Sequence, residues 1–219
     1  PSLPARPWVT PLLEAWARAP RRLHLQVLGL RFHNPAALVS CLRDHPPAPL
    51  RGARDRALAR ALTGALEAEA PAFEAAWRSR AHLEVDPRLG RALVELRALL
   101  YANLDSEPPP LRVLDCPGLG RAGRATSYDG ERLVAVSLEQ PLQHVLMQVL
   151  HEEVHPVTDP LVLAEWEDTR PRDTRQGSEG HALHQRLEAV ALGATQALLA
   201  ERSPVWLPAF EAWLAGLSA

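Results

Sequence analysis

The chain has no lysine and no isoleucine, and only one methionine and two cysteines among its 219 residues. Without lysine there is no lysine Schiff base and no phosphate-binding P-loop lysine. All 24 fixed positive charges are arginines. With abundant Ala, Leu and Pro, this reads as a bias toward GC-rich codons, which lowers the functional weight of the Arg and Pro content. Cys41 and Cys116 stand far apart, outside any CxxC pair. No disulfide framework is predicted, and a reducing compartment is expected. No apolar run approaches the ~20 residues of a membrane span. The opening PSLPARPWV lacks the basic-then-apolar order of a secretion signal, so a cytoplasmic location is expected. No GxSxG motif is present.

What is there belongs to a globular chain: 47% hydrophobic and 23% charged residues. The net charge of -2 hides an asymmetry. Residues 1–60 hold ten Arg against Glu14, Asp44 and Asp55, so the remainder is strongly acidic. A basic segment can face an acidic peptide or nucleic acid. Arginine coating helix surfaces explains it as well, and no nucleic-acid or membrane partner is expected.

Periodicity and punctuation divide the chain. WVTPLLEAWAR (8–18) suggests an amphipathic helix, whereas LHLQVLGLRF (23–32) suits a strand or a buried helix equally. Asn34-Pro35 is a helix start, with a capping Asn and Pro at the first helical position. Helices are predicted at about 51–68, 71–81 and 87–104, and SEPPP (106–110) reads as a linker. After it, LRVLDC (111–116) is a short strand candidate. RATSYDGERLVAVSL (124–138) carries an Asp129-Gly130 hairpin turn into a second strand, LVAVSL. Helices follow at about 141–155 and 178–202, with a last one after Ser203-Pro204. GLGRAG (118–123) fits GxGxxG, but Pro117 before it and a hairpin after it leave no helix to open there, so a dinucleotide site is discounted.

The chemistry concentrates in HEEVH (151–155). In the helix 141–155, Leu142, Val145, Leu146, Val149 and Leu150 recur at the helical period. His144, Gln148, His151 and His155 form the neighbouring stripe. Imidazoles four apart lie on one side of a helix and can share a metal. Glu152 points about 100° away from His151. From there it suits a proton acceptor for metal-bound water better than a ligand. A third ligand is needed, and the helix 178–202 offers His181, His184 and Glu188 as a stripe beside Leu183, Leu187, Val190, Ala191, Ala194 and Leu198. Pro156 predicts that the first helix ends or kinks at about His155, near the negative end of its dipole. Asp159, in TDP, suits a turn first, and otherwise a metal ligand or a group that orients a ligating imidazole.

The order LVAVSL, HVLMQVLHEEVH, loop, then LEAVALGA resembles the zincin-type metallopeptidases, in the gluzincin arrangement. HPVTDPLV is also similar to a group of bacterial zincin-like proteins. The resemblance covers about residues 111–202. It implies zinc held by His151, His155 and Glu188, Glu152 as general base, and a peptide or protein substrate. It further implies that LVAVSL is an edge strand pairing with extended substrate; a buried sheet strand is the equal alternative. The expected fold is α+β, mostly α. A helical N-terminal region (1–105) precedes a zincin-like metal-binding region (111–219) with a small sheet, the HExxH helix and a later ligand-bearing helix. Between the two helices, Arg170, Arg172 and Arg175 lie in a polar loop that could hold a substrate carboxylate.

Two other functions use the same residues. HExxH-type peptide β-hydroxylases, dependent on iron(II) and 2-oxoglutarate and acting on ribosomal peptides, show a weaker resemblance. Here His181 or His184 would complete the site and a loop arginine would clamp the oxoglutarate. Alternatively, the metal only staples two helices of a binding module.

Overall fold

The computed structural model describes residues 6–19, 22–32, 34–47, 50–80, 87–102, 107–164 and 177–217. The loop arginines Arg170, Arg172 and Arg175 lie outside the described residues. The expected class holds: the described chain is mostly helical, with one three-stranded sheet. By internal contacts it divides into two units, Pro1–Glu84 and Val85–Ala219.

The first unit is helical: α1 (Val9–Arg18), α2 (Arg22–Arg31), α3 (Pro35–Asp44), α4 (Ala53–Ala68) and α5 (Ala70–Arg80). LHLQVLGLRF, open between strand and helix in the sequence, is the helix α2. Asn34 caps α3 by accepting a 2.8 Å hydrogen bond from the Ala37 N–H, which satisfies one orphan donor of the first turn. Both α1 and α3 pack on α4, whose Leu58, Ala59, Ala65 and Leu66 are buried. The Trp8 indole donates to Glu69 at 3.1 Å, tying the start of α1 to the end of α4.

The second unit is built around one helix. It contains α6 (Pro87–Tyr101), β1 (Leu111–Asp115), β2 (Arg124–Tyr128), β3 (Glu131–Val136), α7 (Leu142–Leu163), α8 (Glu179–Arg202) and α9 (Leu207–Leu217). Asp129 and Gly130 both take positive φ, 54° and 75°, the tight hairpin turn that joins β2 to β3. The sheet order is β1-β3-β2, with β1 parallel and β2 antiparallel to β3. LVAVSL is therefore the central strand. Both its edges are paired, which removes the substrate-pairing edge that the resemblance implied.

Helix α7 packs against α6, α8, α9 and β3. Its residues 145 to 151 are buried without a break, as expected of a helix covered on every side. Burying one side chain such as Leu150 contributes about 2 kcal/mol. Pro156, exposed on this helix, does not end it. The helix runs past His155 and continues through Pro156 and Pro160 to Leu163. The carbonyl of Glu152, four residues before Pro156, takes its hydrogen bond from Arg132 Nη2 at 2.7 Å. The histidines consequently lie mid-helix and not at the negative end of the dipole. On α8, Leu183, Ala191, Thr195 and Leu199 are buried while Val190 is exposed. The true packing stripe thus steps by four through Thr195, whose hydroxyl donates to the Ala191 carbonyl at 2.8 Å. No helix among the described residues is long and apolar enough to cross a membrane.

Candidate metal centre

Two packed helices bring the donors together. His151 and His155 come from α7, one turn apart, and Glu188 from α8. His151 Nε2 lies 3.0 Å from Glu188 Oε2 and 3.2 Å from His155 Nε2. His155 Nε2 lies 3.6 Å from Glu188 Oε1. Donor atoms of all three residues fall within 4.8 Å of one another. In a tetrahedral zinc site, with metal–donor distances of about 2.0–2.1 Å, neighbouring donors are about 3.3 Å apart. The observed spacings bracket that value. Two imidazoles and a carboxylate are also a donor set that zinc and iron(II) both accept, so the residues fit a divalent cation.

The surrounding groups hold these donors in place. His155 Nδ1 lies 2.9 Å from Asp159 Oδ1, four residues on along the same helix. The TDP segment is thus helix, not turn, and Asp159 orients the imidazole. When Nδ1–H is given to Asp159, the Nε2 lone pair faces the centre. Burial works to lower the His155 pKa. The hydrogen bond and charge of Asp159, helped by Glu188 and Glu152, outweigh it, and the net shift is upward. Burial works to raise the Glu188 pKa, but the hydrogen bond from His151 and the nearby imidazoles carry it below the usual value. A carboxyl held ionised in this way accepts only, as a ligand must. His151 is 5% exposed, and its ring lies against that of Trp213 from α9, centroids 5.6 Å apart.

Glu152 differs from Glu188. Burial raises its pKa, partly offset by the charges of His151 and His155. Its Oε1 lies 3.5 Å from Gln148 Nε2, and Gln148 Oε1 accepts from the Trp213 indole at 3.2 Å. A Cβ added to Gly123 would come within 2.5 Å of both Glu152 Oε1 and Gln148 Nε2. The last glycine of GLGRAG therefore has a use unrelated to dinucleotides: the backbone entering β2 passes directly against the carboxylate.

Of the other candidates for third ligand, His184 is exposed and 3.8 Å from Glu188 through Nδ1, while the His181 backbone N–H donates to the Ser178 cap of α8. Neither belongs to the close group. Glu153, the second glutamate of HEEVH, is a further polar residue of this region that the motif itself does not single out. It is fully buried, with Arg97 Nε at 2.8 Å on one oxygen and Arg132 Nε at 3.2 Å on the other. A charged residue on the core side of a predicted helix was the available signal. Compared with protein-family models, with curated proteins and with solved structures, the chain finds no match in any of the three.

Proposed function

We propose that this chain is a metal-dependent hydrolase, in particular a zinc peptidase of the gluzincin kind. The observation that carries the reading is the convergence of His151, His155 and Glu188, with the half-buried carboxyl of Glu152 directly after His151. Bound there, zinc supplies a Lewis acid and lowers the pKa of water toward ~7. The chain's own residues do the rest. Glu188, kept ionised, and the two Nε2 atoms hold the cation. Glu152 takes a proton from the attacking water and returns it to the leaving nitrogen of the cleaved peptide bond. Burial favours its neutral form and a bound dication would favour its ionised form, and the two steps need access to both. Gln148, anchored by Trp213, fixes the carboxylate's direction.

The same donors suit iron(II) and 2-oxoglutarate-dependent hydroxylation. Hydrolysis is favoured because it gives Glu152 a task, which the hydroxylase reading does not. The test is elemental analysis of protein purified without added metal, together with a peptide library read by mass spectrometry. Zinc and cleaved peptides are expected. In Glu152→Gln, zinc stays and cleavage falls by about 100-fold or more. Turnover that requires oxygen and 2-oxoglutarate, or full activity in Glu152→Gln, overturns the reading.

A further inference from the structure

A proline inside a helix has no N–H for the carbonyl four residues back. In α7 the carbonyl left over by Pro156 belongs to Glu152, between the two histidines. The donor that reaches it comes from another element. Arg132, on the central strand and 9% exposed, donates from Nη2 to the Glu152 carbonyl at 2.7 Å and from Nε to Glu153 Oε1 at 3.2 Å. The far oxygen of Glu153 is taken by Arg97 Nε at 2.8 Å, and Arg97 Nη2 donates to the Pro109 carbonyl. We propose that Arg132 is a positioning residue for the metal centre: its guanidinium replaces the helix hydrogen bond that Pro156 deletes, and so fixes the turn carrying Glu152 and His155 relative to His151.

The residue type follows from the task. Two acceptors in different directions, one charged and one neutral, need a rigid planar fork, which Arg has and Lys lacks. The consequence follows from geometry. Prolines in helix interiors are the usual origin of sharp kinks. A kink between His151 and His155 would open the 3.2 Å spacing of their Nε2 atoms. The functional half of this inference rests on the metal reading above, whereas the hydrogen-bond half does not.

The test is a double-substitution cycle of Arg132→Gln and Pro156→Ala in the full chain. Two measurements are made: zinc affinity by competition with a chromophoric chelator, and the melting midpoint in EDTA. Arg132→Gln is expected to weaken zinc binding about 10–100-fold, the range for groups that orient ligands. Pro156→Ala restores an N–H beneath the Glu152 carbonyl. It should recover about tenfold of that loss in the Arg132→Gln protein while changing the parent affinity about twofold or less. In EDTA the melting midpoint should show the same non-additivity. Equal increments from Pro156→Ala in both backgrounds overturn the proposal, because Arg132 would then act through Glu153 alone. If Arg132→Gln does not fold, Arg132→Lys runs the same cycle, since it keeps a charge against Glu153 without the planar fork that also reaches the Glu152 carbonyl. No zinc binding even by the parent overturns the metal reading and the functional half, while the cycle in EDTA still decides the hydrogen bond.

Discussion

The two units of this chain bury polar groups differently. In residues 6–80 the charged contacts lie mostly at the surface: Arg18 with Glu14, Arg43 with Glu67 and Arg78 with Glu74 are all more than half exposed on both sides. The one buried polar or charged side chain described there is Asp55. In residues 87–217, Arg132, Gln148, His151, Glu153, Thr158 and Thr195 are all buried, and three of them lie within six residues of α7. Exposed pairs contribute about 0–1 kcal/mol, so the first unit is held by its leucines. Buried charge is expensive unless every partner is present, so its concentration around one helix marks where the chain gives up easy stability for geometry. The comparison singles out α7 as the element where the candidate site should be tested, independently of any motif.

The sharpest way to break this comparison is to remove one partner from each kind of pair. Glu153→Gln leaves two arginines with one neutral acceptor in a buried site. It should destabilise the chain by about 3–5 kcal/mol, the usual consequence of stranding a buried charge. Glu67→Gln, which breaks the exposed pair with Arg43, should change stability by less than about 1 kcal/mol. Urea unfolding of both variants checks this. Equal effects would mean that the buried cluster is not the support we take it for.

Metal addition sharpens the same contrast. Zinc at about 100 times its dissociation constant should stabilise whatever binds it by about 2.7 kcal/mol. Hydrogen exchange read by mass spectrometry should show that gain in α7 and α8 and none in α1 to α5. His155→Ala and Glu188→Ala should abolish it, and Glu152→Gln should keep it. Protection that rises in α1 to α5, or that survives Glu188→Ala, would remove the site from these residues.

The sequence carried parts of the candidate site and of the sheet because each depends on local spacing. His151 and His155 need only helical geometry to face the same way, and the Asp129-Gly130 turn needs only its own φ angles. Glu188 was separable from His181 and His184 only by resemblance, because all three lie on one stripe and the choice depends on how α8 docks on α7. The path of α7 through Pro156 was not legible, since it depends on Arg132, twenty residues away in sequence but hydrogen-bonded to the Glu152 carbonyl. The choice between an edge and a buried place for LVAVSL stayed open for the same reason: β3 pairs back onto β1 across the intervening β2, and nothing in either strand states that partnership. Local rules gave the residues, and long-range contacts decided which edges and which turns were available to them.

The smallest expected effects compare two glycines, one in each unit. Gly123 lies against Glu152 and Gln148, and the 2.5 Å approach of an added Cβ to the ends of both side chains means that they, or β2, must move. Gly123→Ala should cost about 1–3 kcal/mol as an overpacked site, and activity should fall while zinc stays bound. Gly64 lies in the interior of α4, exposed, with nothing within 4 Å of an added Cβ. There the only change is helix propensity, and Gly64→Ala should stabilise the chain by about 1 kcal/mol. Opposite signs from the same substitution would show that backbone approach at residue 123 serves the carboxylate, because no property of alanine itself differs between the two positions. Matching signs, read from paired thermal melts, would mean that β2 can shift to admit the methyl group and that the close passage of Gly123 is incidental to Glu152.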